Sequence, residues 1–535
     1  MSVIMKKDIK ISEKHIKNYN RGNSNSEDWR PDLLLRAQRC WEGMAHFREE
    51  RDRCKRFTYG DQWSDRLPSA FGSVREEDYI ISQGNLPLKN NLIRRLVRNV
   101  LGVFRNQWAP PQCVARDSAE SRQAEVMERL IACNIERNRM EEVYARTMEE
   151  FLISGMAVHR KWFGRKGGHI DCWTDFVSPD KFFIDTTGHD FRNWDVALIG
   201  EIHEMDFPTL CASFANSDSD FRKLSSLYAS AHEDGRRDCR VIEVWSKQQF
   251  PRYLCHDSLT GRYFKIEADD YKRMVEDPNE RRRKSVEPDE EVRLVESSWV
   301  VDEEWHYHFL TPEGYVLAEG RTPYAHGGHP YAMKAYPFID GEIHSFVADI
   351  IDQQKFTNRL ISMYDWILRA SAKGVLLFPE DALPAGVNMS DIAKEWSRFN
   401  GIIVYKPKAG DPLPQQIHSN LSNMGITDLL SIQMNMMEDI SGVNGALQGK
   451  LDSNSISGTL YNQQTQNSLT ALADLLKCYN DFILEATCKD AANIRQFYSP
   501  ARICSITGDE NPFVETDTFF DPSFDFSLRE GKKGG

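Results

Sequence analysis

The feature that most constrains this chain is a change of period at Gly155. Over residues 119–154 the apolar side chains recur at helical spacing, and from Met156 onward they recur two apart. Residues 156–163 and 168–174 read as strands of a hairpin, with Gly164, Gly167 and Gly168 supplying its turn. Further strands are predicted over 196–203, 240–245 and 262–266, and an antiparallel sheet over 292–340 with strands at 292–301, 305–310 and 315–318, punctuated by Pro312, Gly314, Gly327, Gly328 and Pro330. Helices are predicted over 31–57, 90–105, 207–232, 268–291, 345–372 and 425–440, with a last long one beyond Gly458. Residues 374–417 read as short strands and Pro/Gly turns. Helical and strand blocks kept apart in this way describe an α+β chain.

Within two helices the pattern names a face. Leu92, Leu96, Val100 and Val103 form the stripe of the 90–105 helix. Leu469, Leu472, Leu476, Tyr479, Ile483 and Ala486 form a narrow seam, which suits either an ordinary core or a contact between subunits. Between the last two helices lies a glycine-punctuated loop, Ser441 to Gly458. A long loop held between strong helices is usually functional.

The chain has 535 residues, enough for three or four domains at about 150 residues each. It is 41% hydrophobic and 27% charged, a globular balance, and its net charge of −13 does not favour a tight grip on a polyanion. Residues 1–28 read as a polar flexible arm without a signal-peptide core, residues 520–535 read as a loose tail, and no run approaches the ~20 apolar residues of a membrane span. Eleven scattered cysteines, odd in number and without a C-x-x-C pair, read as reduced thiols rather than a disulfide or zinc framework.

Motifs for chemistry are weak. Gly445 to Lys450 has three residues between its glycines where a phosphate loop has four, Leu451 where that loop has Ser or Thr, and no preceding strand. His306 and His308 share one face of a strand near Asp302, Glu303 and Glu304, and read as a solvated face rather than a metal site. No H-E-x-x-H or G-x-S-x-G occurs. Arg281 to Lys284 and Arg94, Arg95 and Arg98 read as solvated helix faces, the first with Asp289 to Glu291 as an available partner. No catalytic residue, cofactor or metal is expected.

Four segments, in order, resemble the P22-like, podovirus-type branch of tailed-phage portal proteins. They are Tyr59-Gly-Asp-Gln-Trp63 with Asn90, Asn91 and Gly102; Gly155 with Trp173 to Asp185; Asp352-Gln-Gln354 with Asn358; and Ser441 to Gly449 with Ser457, Gly458, Gln463, Gln464 and Gln466. The resemblance covers about residues 55–490. It implies a portal fold: an arm over 1–29, a wing over 30–267 and 373–489, stem helices over 268–291 and 345–372, a clip over 292–344, a tunnel loop over 440–458 and a short crown over 490–535. It further implies a dodecameric ring in the virion, assembled in the host cytoplasm, that conducts double-stranded DNA. The partners it implies are major capsid protein, scaffolding protein, terminase and head–tail adaptor or tail proteins, with no membrane. Asn444, Gln448, Lys450, Asp452 and Asn454 are then the candidates to face DNA, and Asp352, Gln354 and Asn358 the marked stem residues. Competing readings are a nucleotide-dependent DNA-processing enzyme using Gly445 to Lys450, and a non-portal capsid or adaptor protein.

Overall fold

The computed structural model describes residues 30–67, 73–115, 121–185, 187–188, 190, 192–228, 239–258, 261–284, 295–373, 375–379, 382–397, 402–406, 410, 413–417, 425–445, 447, 458–508 and 526–529. The chain forms two compact units, one of Met1–Lys55, Val97–Ala348 and Leu451–Gly535, the other of Arg56–Leu96 and Asp349–Lys450. The expected α+β class is what the elements make: many helices with small, all-antiparallel sheets.

In the first unit the period change at Gly155 is a real junction. The helix Met140–Ser154 ends on Gly155, whose φ of +78° is the left-handed conformation that glycine adopts without steric cost. A Cβ there would also lie 2.9 Å from the His344 carbonyl oxygen, so both the turn and the close approach need glycine. The single helix expected over 119–154 is two, Ser121–Asn138 and Met140–Ser154. They part at Arg139, which takes a left-handed φ of +51°. Beside that break, Asn134 and Asn138 both donate side-chain hydrogen bonds to the Cys172 carbonyl.

The strands follow as β1 (Gln112–Ala115), β2 (Met156–Lys166), β3 (His169–Phe176), β4 (Phe182–Ile184), β5 (Leu198–Met205), β6 (Cys239–Asp257), β7 (Arg262–Glu267), β8 (Val295–Leu310), β9 (Val316–Arg321) and β10 (Tyr331–Ala335). β2 and β3 make the expected hairpin, and β10 joins β2 to complete a three-stranded sheet. A six-stranded sheet runs β4-β5-β6-β8-β9, with β7 on the far part of β6. Its spine is longer than the sequence pattern suggests. All 16 residues of β8 pair with β6, Ile242 opposite Leu310 through to Asp257 opposite Val295. At ~3.4 Å per residue that ribbon extends ~50 Å. The expected separate strands over 292–301 and 305–310 are therefore one strand, and it belongs to the same sheet as β4 to β7.

The main core lies between the two sheets and the helix Pro31–Gly43. Phe182, Phe183 and Ile184 of β4 enter it with Trp41, Val158, Val244, Leu310 and Tyr331. Trp173 to Asp185, singled out in the sequence, is thus in part a core strand. A second core joins Ser121–Asn138 to the helices Ala473–Phe497 and Pro500–Thr507. Ala473–Phe497 also packs on β2 and β10. Its buried face takes in Leu475, Phe482, Ala491 and Ile494 besides Leu472, Tyr479, Ile483 and Ala486, while Leu469 and Leu476 are half-buried. The narrow seam is instead a broad core-facing surface. The tail expected to be loose over 520–535 contains a strand, Phe526–Arg529, paired antiparallel with β1. In Leu92–Gln107 Leu96 and Val100 are buried as expected, Leu92 and Val103 are half-buried, and Ile93, Val97 and Phe104 complete the buried face.

The two sheets are tied by charge as well as by apolar packing. Glu243 on β6 is fully buried and forms an ion pair of 2.9 Å with Arg160 on β2. His203 on β5 and Trp245 each donate to its carboxylate at 2.7 Å. Burial pushes the Glu243 carboxyl upward, but Arg160 and the two donors outweigh it and hold the group at about 2. A carboxyl depressed in the folded state contributes stability above its unfolded value of about 4.3, and that contribution is lost as pH falls toward the folded value. Replacing Glu243 by Gln should cost about 3–5 kcal/mol in urea unfolding at pH 7, the usual effect of breaking a buried pair. The variant should also lose less stability than the wild type between about pH 4.3 and 2.

Candidate functional site

In the second unit, two of the segments singled out in the sequence meet at one place. Tyr59 to Trp63 and Asn90-Asn91 lie against the helix Ile351–Lys373, and the contacts run through side-chain amides. Asn91 precedes the helix Leu92–Gln107, and its Oδ1 accepts from the Arg94 amide at 3.0 Å, a cap of the usual kind. The first two helix amides are capped from outside as well: Gln354 Oε1 accepts at 2.9 Å from Leu92 N, which also donates to the Asn90 carbonyl, and at 3.2 Å from Ile93 N. Such amides have no partner within their own helix.

The other half of the Gln354 amide is equally committed. Its Nε2 donates to the Asn90 carbonyl at 2.7 Å and to Asn358 Oδ1 at 2.9 Å. Asn358 lies one turn further on the same face, and its Nδ2 donates to Gln62 Oε1 at 2.7 Å. Gln62 and Asn91 then satisfy the end of the preceding helix, donating to the carbonyls of Phe57 and Thr58, both at 2.9 Å. Gln354, Asn358 and Gln62 are at most 1% exposed. An ionic shell surrounds this knot. Asp65 pairs with Arg56 and Lys355, and the buried Glu76 pairs with Arg359 and Lys355.

Of the marked stem residues, Gln354 and Asn358 are brought together with Gln62, Asn90 and Asn91, and serve structure. Asp352 is exposed in the first turn of the same helix. The sequence carries a signal for the partners, since paired asparagines before an apolar helical run mark an N-terminus. It carries none for Glu76, whose role depends on arginine and lysine almost three hundred residues away.

The loop candidates divide differently. The helix Ile426–Ser441 ends on Gly442 at φ +66°. Val443 is buried, and Asn444 is half-buried with its Oδ1 accepting from the Leu447 amide at 3.1 Å. Gln448, Lys450, Asp452 and Asn454 lie outside the described residues. The residues before Gly445 form a helix, so the strand that a phosphate loop requires is absent there.

The expected solvated face at His306 and His308 is not one. His308 is buried beside Glu319 and His306 stacks on Phe250, and burial lowers both imidazoles below their usual range. Arg94 covers the Tyr59 ring at 4.7 Å, whereas Arg95 and Arg98 are exposed. Arg281 is exposed in Asp277–Lys284, and Asp289 to Glu291 lie outside the described residues. Among the described residues one group has metal-ligand spacing, Glu201, His203 and Glu243, with ligand atoms within 4.8 Å of one another. Both Glu243 oxygens are already taken by Arg160, His203 and Trp245, which makes the group an ion-pair joint. All eleven cysteines are free thiols. Among the described residues no helix is long and apolar enough to cross a membrane.

The family model described as phage P22-like portal protein matches residues 34–519. No curated protein matches the chain.

Changing Gln354 to Glu replaces a donor by an acceptor opposite two acceptors, the Asn90 carbonyl and Asn358 Oδ1. Leaving such groups unpaired costs about 1–3 kcal/mol each, so a destabilisation of about 2–4 kcal/mol is expected, with faster hydrogen exchange at the Leu92 and Ile93 amides. Asp352→Asn, at an exposed position, should change stability by less than about 0.5 kcal/mol and leave that exchange unchanged.

Proposed function

The chain belongs to the P22-like phage portal family, and from that premise we propose that it forms the ring at one capsid vertex through which the genome is packaged and ejected. The family is structural. Membership implies a ring oligomer in the virion that works with capsid and terminase partners. The finer reading is a dodecamer assembled in the host cytoplasm. Its wing meets scaffolding and major capsid protein, and its clip receives terminase and afterwards the head–tail adaptor and tail proteins. The observation that carries the reading is the match over residues 34–519, which runs through both compact units.

The allocation of parts follows from packing. The helices Ile351–Lys373 and Ile426–Ser441 pack on each other within the second unit. We propose this pair as the stem and the residues between, 374–425, as the clip. That proposal replaces the reading of 268–291 as a stem helix and 292–344 as the clip. It is supported by β8, which pairs along its full length with β6, and by Asp277–Lys284, which is short and preceded by a π turn at Lys272–Glu276. The first unit then supplies the wing, and its last elements, Pro500–Thr507 and Phe526–Arg529, a short crown.

Residues 440–458 remain the proposed tunnel loop, with Asn444, Gln448, Lys450, Asp452 and Asn454 toward DNA. Lys450 is the only cation in that stretch. Six to ten firm phosphate contacts change affinity ~10³–10⁵-fold over a modest salt range. A ring with many strong cationic contacts would act as a brake, and one lysine per subunit among amides lets duplex DNA slide.

Electron cryomicroscopy of the purified chain, processed without imposed symmetry, should give twelve-fold rings with a channel wide enough for a duplex. Monomers or closed dimers at every concentration would refute the portal reading. Lys450→Ala should form the same rings and bind duplex DNA with a shallower salt dependence, by about 0.9 in the log–log slope for each phosphate that the lysines no longer neutralise.

A further inference from the structure

The helix break at Arg139 leaves a groove in the first unit. An open cleft of about 560 Å³ is lined on one side by residues that follow Leu92–Gln107, and on the other by the ends of the two helices that part at Arg139. Its apolar lining is Trp108, Pro110, Ile135 and Met140. Trp108 also borders a smaller cavity of about 210 Å³, and its indole N–H is buried without an acceptor among the described residues. A buried indole usually donates a hydrogen bond, so this ring is held by packing alone.

The rim of the groove is acidic. Glu136, Glu141 and Glu142 line it against one cation, Arg139. Glu142 is already paired with Arg105 and Arg146. Glu136 and Glu141 are exposed, and among the described residues no ion pair engages either carboxylate. An apolar floor edged by unpaired carboxylates suits a short, basic, amphipathic segment. The chain contains one in residues 1–29, which precede the described residues. Lys6, Lys7, Lys10, Lys14 and Lys17 stand there against Asp8 and Glu13, an excess of three positive charges in a chain of net charge −13. At about 100° per residue, Met5, Ile9 and Ile16 share an arc of about 40°, and Lys6, Lys10, Lys14 and Lys17 share an adjoining arc of about 80°. Residues 18–29 extend up to ~40 Å, which gives the segment reach beyond the anchorage of Arg30 on Gly314 and Glu319. The next longest stretch outside the described residues, 509–525, has six carboxylates and no lysine or arginine, so the rim repels it.

We propose that residues 3–17 of this chain dock in the groove as a helix, with Met5, Ile9 and Ile16 on Trp108, Ile135 and Met140, and with Lys10 and Lys14 beside Glu136 and Glu141. The inference concerns the first unit by itself and does not depend on ring formation. An isolated helix of about 15 residues is marginal in water, so protection of its amides reports docking. Salt screens the exposed charges but not the apolar contact, so docking weakens at high salt without being abolished.

The test is made on the full chain. Hydrogen exchange read by mass spectrometry should show the amides of residues 3–17 exchanging at least tenfold more slowly in the wild type than in Glu136→Lys/Glu141→Lys or in Lys10→Glu/Lys14→Glu. Combining the two charge-reversed pairs should restore slow exchange, which a loss of folding could not do, and the thermal transition should be alike in all four proteins. With p-benzoylphenylalanine placed at Ile9, irradiation should join it to residues 108–110 or 132–142 of the same chain, giving a product of monomer mass. Fast exchange over residues 3–17 in the wild type, no recovery in the combined variant, or crosslinks to 509–525 would overturn the proposal. A crosslink to the groove of a second copy would overturn it too, and would make the groove a contact between chains.

Discussion

The second unit depends on one amide side chain doing four things at once. Gln354 caps two backbone amides of a neighbouring helix with its oxygen, and with its nitrogen it holds the Asn90 carbonyl and the Asn358 side chain. A helix start must find partners for amides that no residue of its own turn can serve. Here they come from a helix more than two hundred and fifty residues away, so one start is defined only when the other helix is present. Through Asn358, Gln62 and Asn91 the same network reaches the Phe57 and Thr58 carbonyls. Such a network has little tolerance for rearrangement, because a buried amide deprived of one partner has no water to replace it.

The first unit solves a different problem by other means. Its two sheets share an apolar core, and the Glu243 joint adds direction to contacts that apolar packing leaves degenerate. Trp245, His203 and Arg160 fix the carboxylate from three strands' worth of backbone, so β2, β5 and β6 reach one registration. Gly200 belongs to the same constraint. A Cβ there would lie 2.3 Å from the Glu243 carbonyl oxygen and 2.4 Å from the Phe183 ring. Close approach of β4, β5 and β6 is therefore written into one missing side chain.

How much of this is legible in the sequence depends on the range of the forces involved. The junction at Gly155, the hairpin β2–β3 and the helices Ile351–Lys373 and Ile426–Ser441 are set by neighbours in sequence, and their periods and glycines mark them. The pairing of β6 with β8, the break at Arg139 and the strand Phe526–Arg529 are set by partners far along the chain, and no local pattern marks those. The motif residues illustrate both cases. Gln354 and Asn358 stand out by spacing, one turn apart on one face, yet spacing alone does not tell a channel face from an internal cap. His306 and His308 are visible as a pair, but their surroundings come from Glu319 and Phe250, which alternation along a strand does not reveal. The loop beyond Asn444 is characterised by its amides and its single lysine, and family membership supplies its context.

Polar and apolar side chains in the second unit stand partly in reverse of the usual order. Amides and ion pairs occupy the inside of the junction, while Phe356, Met363, Trp366, Ile432 and Met436 face outward. Hydrophobic burial is the main favourable term for a folded chain, at roughly 25 cal/mol per Å². The polar junction therefore gives this unit its shape through directional bonds, which are satisfied together only while Gln62, Asn90, Asn91, Gln354 and Asn358 stay in place.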